Sequence, residues 1–342
     1  MIIGVLTGGG DAPGLNPAIR AVALTAIGKG HQVIGFRDGW KGVQENLTVQ
    51  IDRDWLDGMH EEGGTRLGSS RTNPMKSEET MNKVMETLRA NQIDALVAIG
   101  GDDTLSVAAE LSQRGVSVVG IPKTMDNDVP ATDYCIGFDT SVNIVADSLD
   151  KLRTTARSHH RCLVLEVMGR DAGWVAGIGG VAGGADYILL PEVEPDLEDL
   201  YSHLENVRQR GRSYALVVVS EGVQLGQIDA AESGERDAFG HIRLASKAVG
   251  ETLAEMIEQR LGWETRSVVL GHLQRGGSPS AFDRVLGTRY GVKAMDCVLA
   301  GQLGVLVVVK GWELQTVPLE SIARQTKTLD PAFIEQVGEL LA

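Results

Sequence analysis

The chain has 342 residues, 43% hydrophobic and 23% charged, which is material for two modest cores and sets a first expectation of two domains. A net charge of −14 speaks against a broad positive stripe for duplex nucleic acid, and no apolar run approaches bilayer length, so neither nucleic acid nor membrane is expected as a partner. The three cysteines, Cys135, Cys162 and Cys297, are odd in number, widely spaced and without CxxC spacing, which argues against a disulfide framework or a zinc site.

The N-terminal MIIGVLTGGGDAPG lacks a basic start and a small-residue cleavage site, so it reads as a buried strand leading into a glycine turn in a cytoplasmic protein. AIRAVALTAI after it has the look of a helix. The apolar runs QVIGF, ALVAIG, VSVVGI, CLVLEV, YALVVVS, SVVLGH and VLVVVK then recur between longer amphipathic stretches. That alternation is the pattern of buried parallel strands joined by helices, and the expected fold class is α/β with largely parallel sheets. His159 and His160 read as ordinary helix-end residues. The polar stretch 222–243 reads as an exposed loop or insertion, and the terminal DPAFIEQVGELLA as a helix with Asp330 as N-cap and Pro331 in its first turn.

Several strand-like runs end in glycine or acidic clusters, and in open α/β sheets ligands bind outside the carboxyl ends of the strands. These clusters are therefore expected to converge on one crevice. TGGGDAPGLN places successive glycines between a strand and a helix, where backbone N–H groups and the helix dipole can cradle a phosphate. The same turn can occur with no ligand, and it matches neither GxGxxG nor a P-loop ending in GK[ST]. AIGGDDTL sets Asp102 and Asp103 side by side at a strand end, suited to Mg²⁺ or equally to a helix N-terminus. GIPKTMDND, residues 120–128, combines an ammonium, a hydroxyl and two aspartates, and in an extended loop Asp126 and Asp128 would face alike. An acidic protein that takes anionic substrates needs a local cationic cluster, for which Arg66, Arg71, Arg170, Arg266, His272 and Arg275 are the candidates.

Taken in order, TGGGDAPGLN, GGTRLGSSR, GGDDT, PKTMDND, EVMGR, SEG and GHLQRGG resemble the phosphofructokinase family along residues 1–300. The resemblance implies two α/β/α domains with the active site between them: 1–138 plus 246–301 as a larger donor- and Mg²⁺-binding domain, and 139–245 plus 302–342 as a smaller sugar-phosphate domain. It also implies a homodimer or homotetramer whose neighbouring subunits complete the sugar-phosphate site. The implied reaction is phosphoryl transfer, with Mg²⁺, to the 1-hydroxyl of fructose 6-phosphate. By motif position Asp126 resembles the general base, with Thr124 and Arg170 assisting, and Asp102 and Asp128 resemble the metal-binding carboxylates. Gly10, Arg71, Asp103 and Lys123 fall at donor-binding positions. Met168, Gly169, Glu221, His272 and Arg275 fall at sugar-binding positions, joined by Thr124, Asp126, Asp128 and Arg170, while Arg161 and Arg266 match arginines that reach the 6-phosphate from a neighbouring subunit.

Family members that use ATP commonly carry glycine where this chain has Asp103, and often where it has Lys123. The pair GGDDT and PKTMDND therefore resembles the inorganic diphosphate-dependent type, because a carboxylate beside the α-phosphate position occupies its space and repels a nucleotide. ATP remains the alternative donor, since compact members include users of either. GGDGT-like loops also occur in NAD kinases and lipid kinases, but not with PKTMDND, EVMGR and GHLQRGG in succession. A non-catalytic sugar-phosphate-binding regulator would be expected to lose Asp102, Asp126 or Asp128, and all three are present.

Overall fold

All eight apolar runs become strands, and the computed structural model describes residues 1–226, 249–322, 325–330, 332, 333, 335, 336 and 338. In chain order the elements are β1 (Ile2–Thr7), α1 (Leu15–Gly28), β2 (Gln32–Phe36), α2 (Gly39–Gln44), β3 (Thr48–Ile51), α3 (Glu78–Ala90), β4 (Ala95–Gly100), α4 (Asp102–Gln113), β5 (Val118–Pro122), α5 (Phe138–His159), β6 (Cys162–Val167), α6 (Trp174–Ala182), β7 (Tyr187–Leu189), α7 (Leu197–Gln209), β8 (Ala215–Ser220), α8 (Val249–Leu261), β9 (Thr265–Val269), α9 (Ala281–Leu299), β10 (Val305–Lys310) and β11 (Glu313–Pro318). Every residue of β4, β5, β6 and β8 is buried, which is why those strands read as unbroken apolar runs. Ser77, Asp196 and Ser280 cap α3, α7 and α9 by accepting an N–H three residues on, and acidic residues follow in each first turn.

The chain divides into two units. The first takes residues 1–140 and 275–325; the second takes 141–226, 249–274 and the tail from 326. The first unit holds a seven-stranded sheet ordered β11-β10-β5-β4-β1-β2-β3, parallel in its interior, with β3 and β11 antiparallel at the two edges. On one face Val5, Val97 and Ile99 pack with Ile19 and Val22 of α1 and Leu286 and Tyr290 of α9. On the other, Leu6, Leu96 and Ala98 pack with Trp40, Val84 and Leu105 from α2, α3 and α4. The second unit holds a parallel four-stranded sheet ordered β7-β8-β6-β9, where Val164, Val217 and Val219 pack with Leu200, Leu204, Leu253 and Ile257.

The expected boundaries differ from this division. Residues 249–274 fall in the second unit because β9 hydrogen-bonds along β6 and α8 packs into the same core. Residues 302–325 fall in the first because β10 pairs with β5 and β11 with β10. SVVLGH is strand only to Val269, after which Gly271, at φ +47°, opens a short 3₁₀ turn through Arg275. Residues 227–243 of the expected loop lie outside the described residues, as do Pro331 and much of the expected terminal helix. The Asp330 carboxylate accepts the Ala332 N–H at 2.9 Å, in keeping with an N-cap. Among the described residues no helix is long and apolar enough to cross a membrane.

Candidate active site

In the first unit β1, β4 and β5 are adjacent and parallel, with Thr7 beside Ile99 and Gly100 beside Pro122, so the loops that leave their carboxyl ends lie together. The Gly8 N–H donates to the Ile99 carbonyl and the Lys123 N–H to the Gly100 carbonyl, both at 2.9 Å. A Cβ on Gly8 or on Gly100 would collide with the Thr104 side chain, so both positions need glycine for close approach. Gly9, at φ +79°, donates its N–H to the Ser70 carbonyl at 3.2 Å, which brings the segment carrying Arg71 to the same loop. Three of the expected loops therefore do converge, and Arg71 stands exposed beside them.

α4 starts directly after β4. Gly101 is its extended N-cap, and Asp102 and Asp103 occupy the first turn, half-buried, where the helix dipole favours carboxylates. The Ser106 hydroxyl lies 3.5 Å from Asp102 Oδ1. Lys123, 3% exposed, donates from its ammonium to the Gly10 carbonyl. Burial, and then the Arg275 guanidinium, push its pKa down to about 8 against the pull of Asp11, Asp128 and Asp126. Arg275 lies so close over Gly10 that a Cβ there would overlap its guanidinium. Two cations thus stand among the aspartates of an otherwise acidic protein.

Residues 124–128 form a turn and not an extended loop, so Asp126 and Asp128 are not related by strand alternation. The Asp126 N–H donates to Thr124 Oγ1 at 3.2 Å, the Asn127 N–H to the Thr124 carbonyl at 3.4 Å, and Asn127 is left-handed at φ +53°. The Asn127 side chain holds that turn by donating to the Asp133 carbonyl at 3.0 Å and accepting the Cys135 N–H at 2.8 Å. The chain reversal, in place of strand alternation, sets the directions of Asp126 and Asp128, and both carboxylates act on the Lys123 ammonium. Behind the cluster, fully buried Asp283 of α9 accepts the Gly137 N–H at 2.9 Å, the Thr140 N–H at 2.8 Å and the Thr140 hydroxyl. Burial pushes its carboxyl up to about 6.

In the second unit β6 leads into Met168-Gly169-Arg170 and its neighbour β8, ending at Ser220, into Glu221-Gly222. The Ser220 hydroxyl and the Gly222 N–H donate to the Gly169 carbonyl at 2.6 and 3.2 Å, and the Glu221 N–H donates to the Val167 carbonyl at 2.8 Å. The side-chain carbonyl of fully buried Gln274 accepts the Met168 N–H at 3.4 Å. Gly169, at φ +136°, could carry no side chain without meeting the Ala172 carbonyl and Ser220 Oγ at 2.6 Å. Beneath this loop Glu166 accepts the Gly250 N–H at 2.7 Å, and burial above all, then Glu221 and Glu251, raise its pKa. His272 is exposed on the 3₁₀ turn.

Arg161 and Arg266 stand apart from that loop. They lie at the starts of β6 and β9, where Cys162 pairs with Thr265, and they share Glu264 at 2.7 and 2.9 Å, with Arg266 also 3.1 Å from Glu258. The length of a strand separates them from Met168 and Gly169. Sequence reasoning passed over Asp11, Thr104, Ser220, Gln274 and Asp283. Asp11, Thr104, Ser220 and Gln274 were visible within TGGGD, GGDDT, SEG and GHLQRGG; Asp283 is marked only by its bonds to Gly137 and Thr140, distant in sequence.

The phosphofructokinase profile matches residues 2–298. The chain belongs to the phosphofructokinase family. A pyrophosphate--fructose 6-phosphate 1-phosphotransferase of Dictyoglomus thermophilum is 53% identical over 98% of this chain and 97% of its own. An ATP-dependent 6-phosphofructokinase of Mycobacterium leprae (strain TN) is 44% identical over 96% of each. Among solved structures, a pyrophosphate-dependent phosphofructokinase from Marinobacter aquaeolei aligns with a TM-score of 0.82 at 27% identity, covering 96% of this chain and 85% of that one. The phosphofructokinase of Saccharomyces cerevisiae aligns with a TM-score of 0.78 at 30% identity; 94% of this chain is covered, but it spans only 45% of that longer chain.

Proposed function

We propose that the protein transfers a phosphoryl group from inorganic diphosphate to the 1-hydroxyl of D-fructose 6-phosphate, giving fructose 1,6-bisphosphate and phosphate. The observation that carries this reading is the buried Lys123 ammonium, bonded to the Gly10 carbonyl and surrounded by Asp11, Asp126, Asp128 and Arg275, beside a helix that opens with Asp102-Asp103. A compact, strongly charged donor fits such a pocket. A nucleotide would have to place its α-phosphate against the extra carboxylate of Asp103. Relatives named for pyrophosphate are 48–53% identical to this chain, and those named for ATP are 42–44% identical.

In this reading Asp126 takes the proton from the sugar hydroxyl as it attacks phosphorus, and Thr124 and Arg170 steady the charge that develops. Gly10 and Arg71 serve the donor phosphates. Asp102 and Asp128 would hold Mg²⁺: among the described residues no three His, Cys, Asp or Glu side chains form a metal cage. Mg²⁺ is commonly held by one or two carboxylates, with phosphate oxygens and water completing its shell. When bound, Mg²⁺ neutralises charge on the transferring group. The second unit supplies Met168, Gly169, Glu221 and His272 to the sugar. Arg161 and Arg266, set at the far ends of their strands, serve the 6-phosphate of a neighbouring subunit in a homodimer or homotetramer. Arg275, from GHLQRGG, serves the sugar phosphate, and sugar-phosphate substrates fit a cytoplasmic enzyme.

The deciding experiment measures kcat/KM for fructose 6-phosphate phosphorylation with diphosphate and with ATP on the purified protein. Higher efficiency with diphosphate is expected; higher efficiency with ATP overturns the donor assignment.

A further inference from the structure

The loop that carries Met168, Gly169 and Arg170 is flanked by two glycines, Gly169 and Gly173, either of which would let it swing. The first is fixed by Ser220 and Gly222, whose donors meet the Gly169 carbonyl. The second is held from elsewhere. The Gly173 N–H, at the start of α6, donates to Glu192 Oε1 at 2.8 Å, and the same oxygen accepts the Leu329 N–H at 2.9 Å. Glu192 Oε2 is buried with no hydrogen-bond partner among the described residues, and a Cβ at Gly173 would stand 2.6 Å from it.

The tail around Leu329 is itself fastened to α6. Leu329, 1% exposed, packs where a Cβ on Gly177 would lie 2.7 Å from it. Two residues earlier the Lys327 carbonyl accepts the Trp174 indole N–H at 2.9 Å, and the Lys327 ammonium sits 4.9 Å from the centre of the Trp174 ring. One carboxylate therefore joins three pieces of chain: the turn before α7, the start of α6 and a C-terminal segment distant in sequence.

We infer that Glu192, with residues 327–329, is a positioning clamp for the 168–173 loop: it fixes the direction of Arg170 and Met168 toward fructose 6-phosphate without touching the sugar. The inference rests on the sugar-binding reading of that loop. Gln274 and Ser220 hold one end of the loop and Glu192 the other, so loss of Glu192 frees one hinge and leaves the donor cluster of the first unit alone.

The test compares Glu192→Ala, Glu192→Gln and Trp174→Phe by steady-state kinetics with both substrates varied and by hydrogen exchange of peptides covering 169–174 and 326–330. Glutamine keeps an oxygen for both N–H groups, and phenylalanine keeps a smaller aromatic ring while removing the indole donor. For Glu192→Ala the KM for fructose 6-phosphate is expected to rise about tenfold, with the diphosphate KM within about twofold and faster exchange at both peptides. Glu192→Gln should return to within about threefold of the parent, and Trp174→Phe should raise the sugar KM about threefold. Equal changes in both KM values, or faster exchange with an unchanged sugar KM, would overturn the clamp. If the alanine variant does not fold, a glutamine variant with a tenfold higher sugar KM overturns it, whereas near-parent glutamine kinetics together with the expected Trp174→Phe shift supports it. If the parent protein shows no turnover of fructose 6-phosphate, the sugar reading fails separately; exchange then decides, with faster exchange at Gly173 and Leu329 in Glu192→Ala supporting the clamp and unchanged exchange refuting it.

Discussion

Lys123→Met removes a buried ammonium while keeping a side chain of similar length, and two consequences follow from where that ammonium sits. A charge-assisted contact between ammonium and phosphate is worth about 1.5–3 kcal/mol, so kcat/KM for diphosphate should fall about 10- to 100-fold. That quantity reports protonation in the free enzyme. With a pKa of about 8, Lys123 is charged on roughly nine molecules in ten at pH 7 and one in ten at pH 9, so the ratio of parent to variant kcat/KM should shrink roughly tenfold across that interval. Stability moves the other way. The folded-state pKa lies below the ordinary value of 10.5, so between about 8 and 10.5 the unfolded chain holds more protons and folding strengthens as pH rises. Below about 8 the charged lysine costs the folded protein about 3 kcal/mol, and the methionine variant should melt higher than the parent at pH 7, with the gap closing toward pH 10.5. Initial rates at pH 7, 8 and 9 and thermal melts at pH 7 and 10 check both halves. A flat parent-to-variant ratio from pH 7 to 9, or a variant that melts lower at pH 7, would refute this electrostatic account of the site.

Asp126→Asn should lower kcat by about 10²–10⁴ while leaving the melting temperature nearly unchanged, measured by initial rates and calorimetry; near-parent turnover would remove Asp126 as the base. Asp103→Gly, alone or with Lys123→Gly, should weaken diphosphate use and open the loop to ATP, and undiminished diphosphate activity in both would show the charge and space argument to be wrong. Asp283→Ala strips the acceptor from three buried donors and should cost roughly 3 kcal/mol in denaturant unfolding. Because the folded Asp283 carboxyl titrates at about 6 and not near 3.8, the folded state keeps its proton longer and this group makes the parent lose stability as pH rises from about 4 to 6; that slope should flatten in the variant.

β4, β5, β6 and β8 were legible as strands because a parallel strand covered on both faces has no polar side to interrupt it, while β9, with Val268 and Val269 exposed, was legible from its short apolar run alone. β3 and β11 escaped notice for the opposite reason: at the sheet edges, TVQI and ELQTVP mix exposed polar residues with buried or partly buried ones. β7 has only three residues. The expected division differs from the one described because nothing local in TRSVV or VLVVVK says that the first pairs with β6 and the second with β5. Within the site, the glycine and aspartate loops stood out because their residue types are costly without a reason. The turn at Asn127 did not, since an asparagine in left-handed geometry looks no different in sequence from one in an extended loop. Asp283 and Glu192 were hidden too, because each bonds backbone groups brought to it only by the packing of distant segments.

The first unit is interrupted in sequence, and its closing pieces come last. α9 seats against α1 so tightly that a Cβ on Gly287 would stand 2.7 Å from the Gly14 carbonyl and one on Gly291 2.6 Å from the Ala18 carbonyl, while β10 supplies the outer neighbour of β5. A chain leaving the ribosome exposes that face of α1 and the open side of β5 throughout the synthesis of residues 141–274, which by its end hold every described strand of their own sheet. The earliest-made glycine turn is therefore among the last parts to be locked in place, and the nascent protein carries an apolar helix face through most of its own translation.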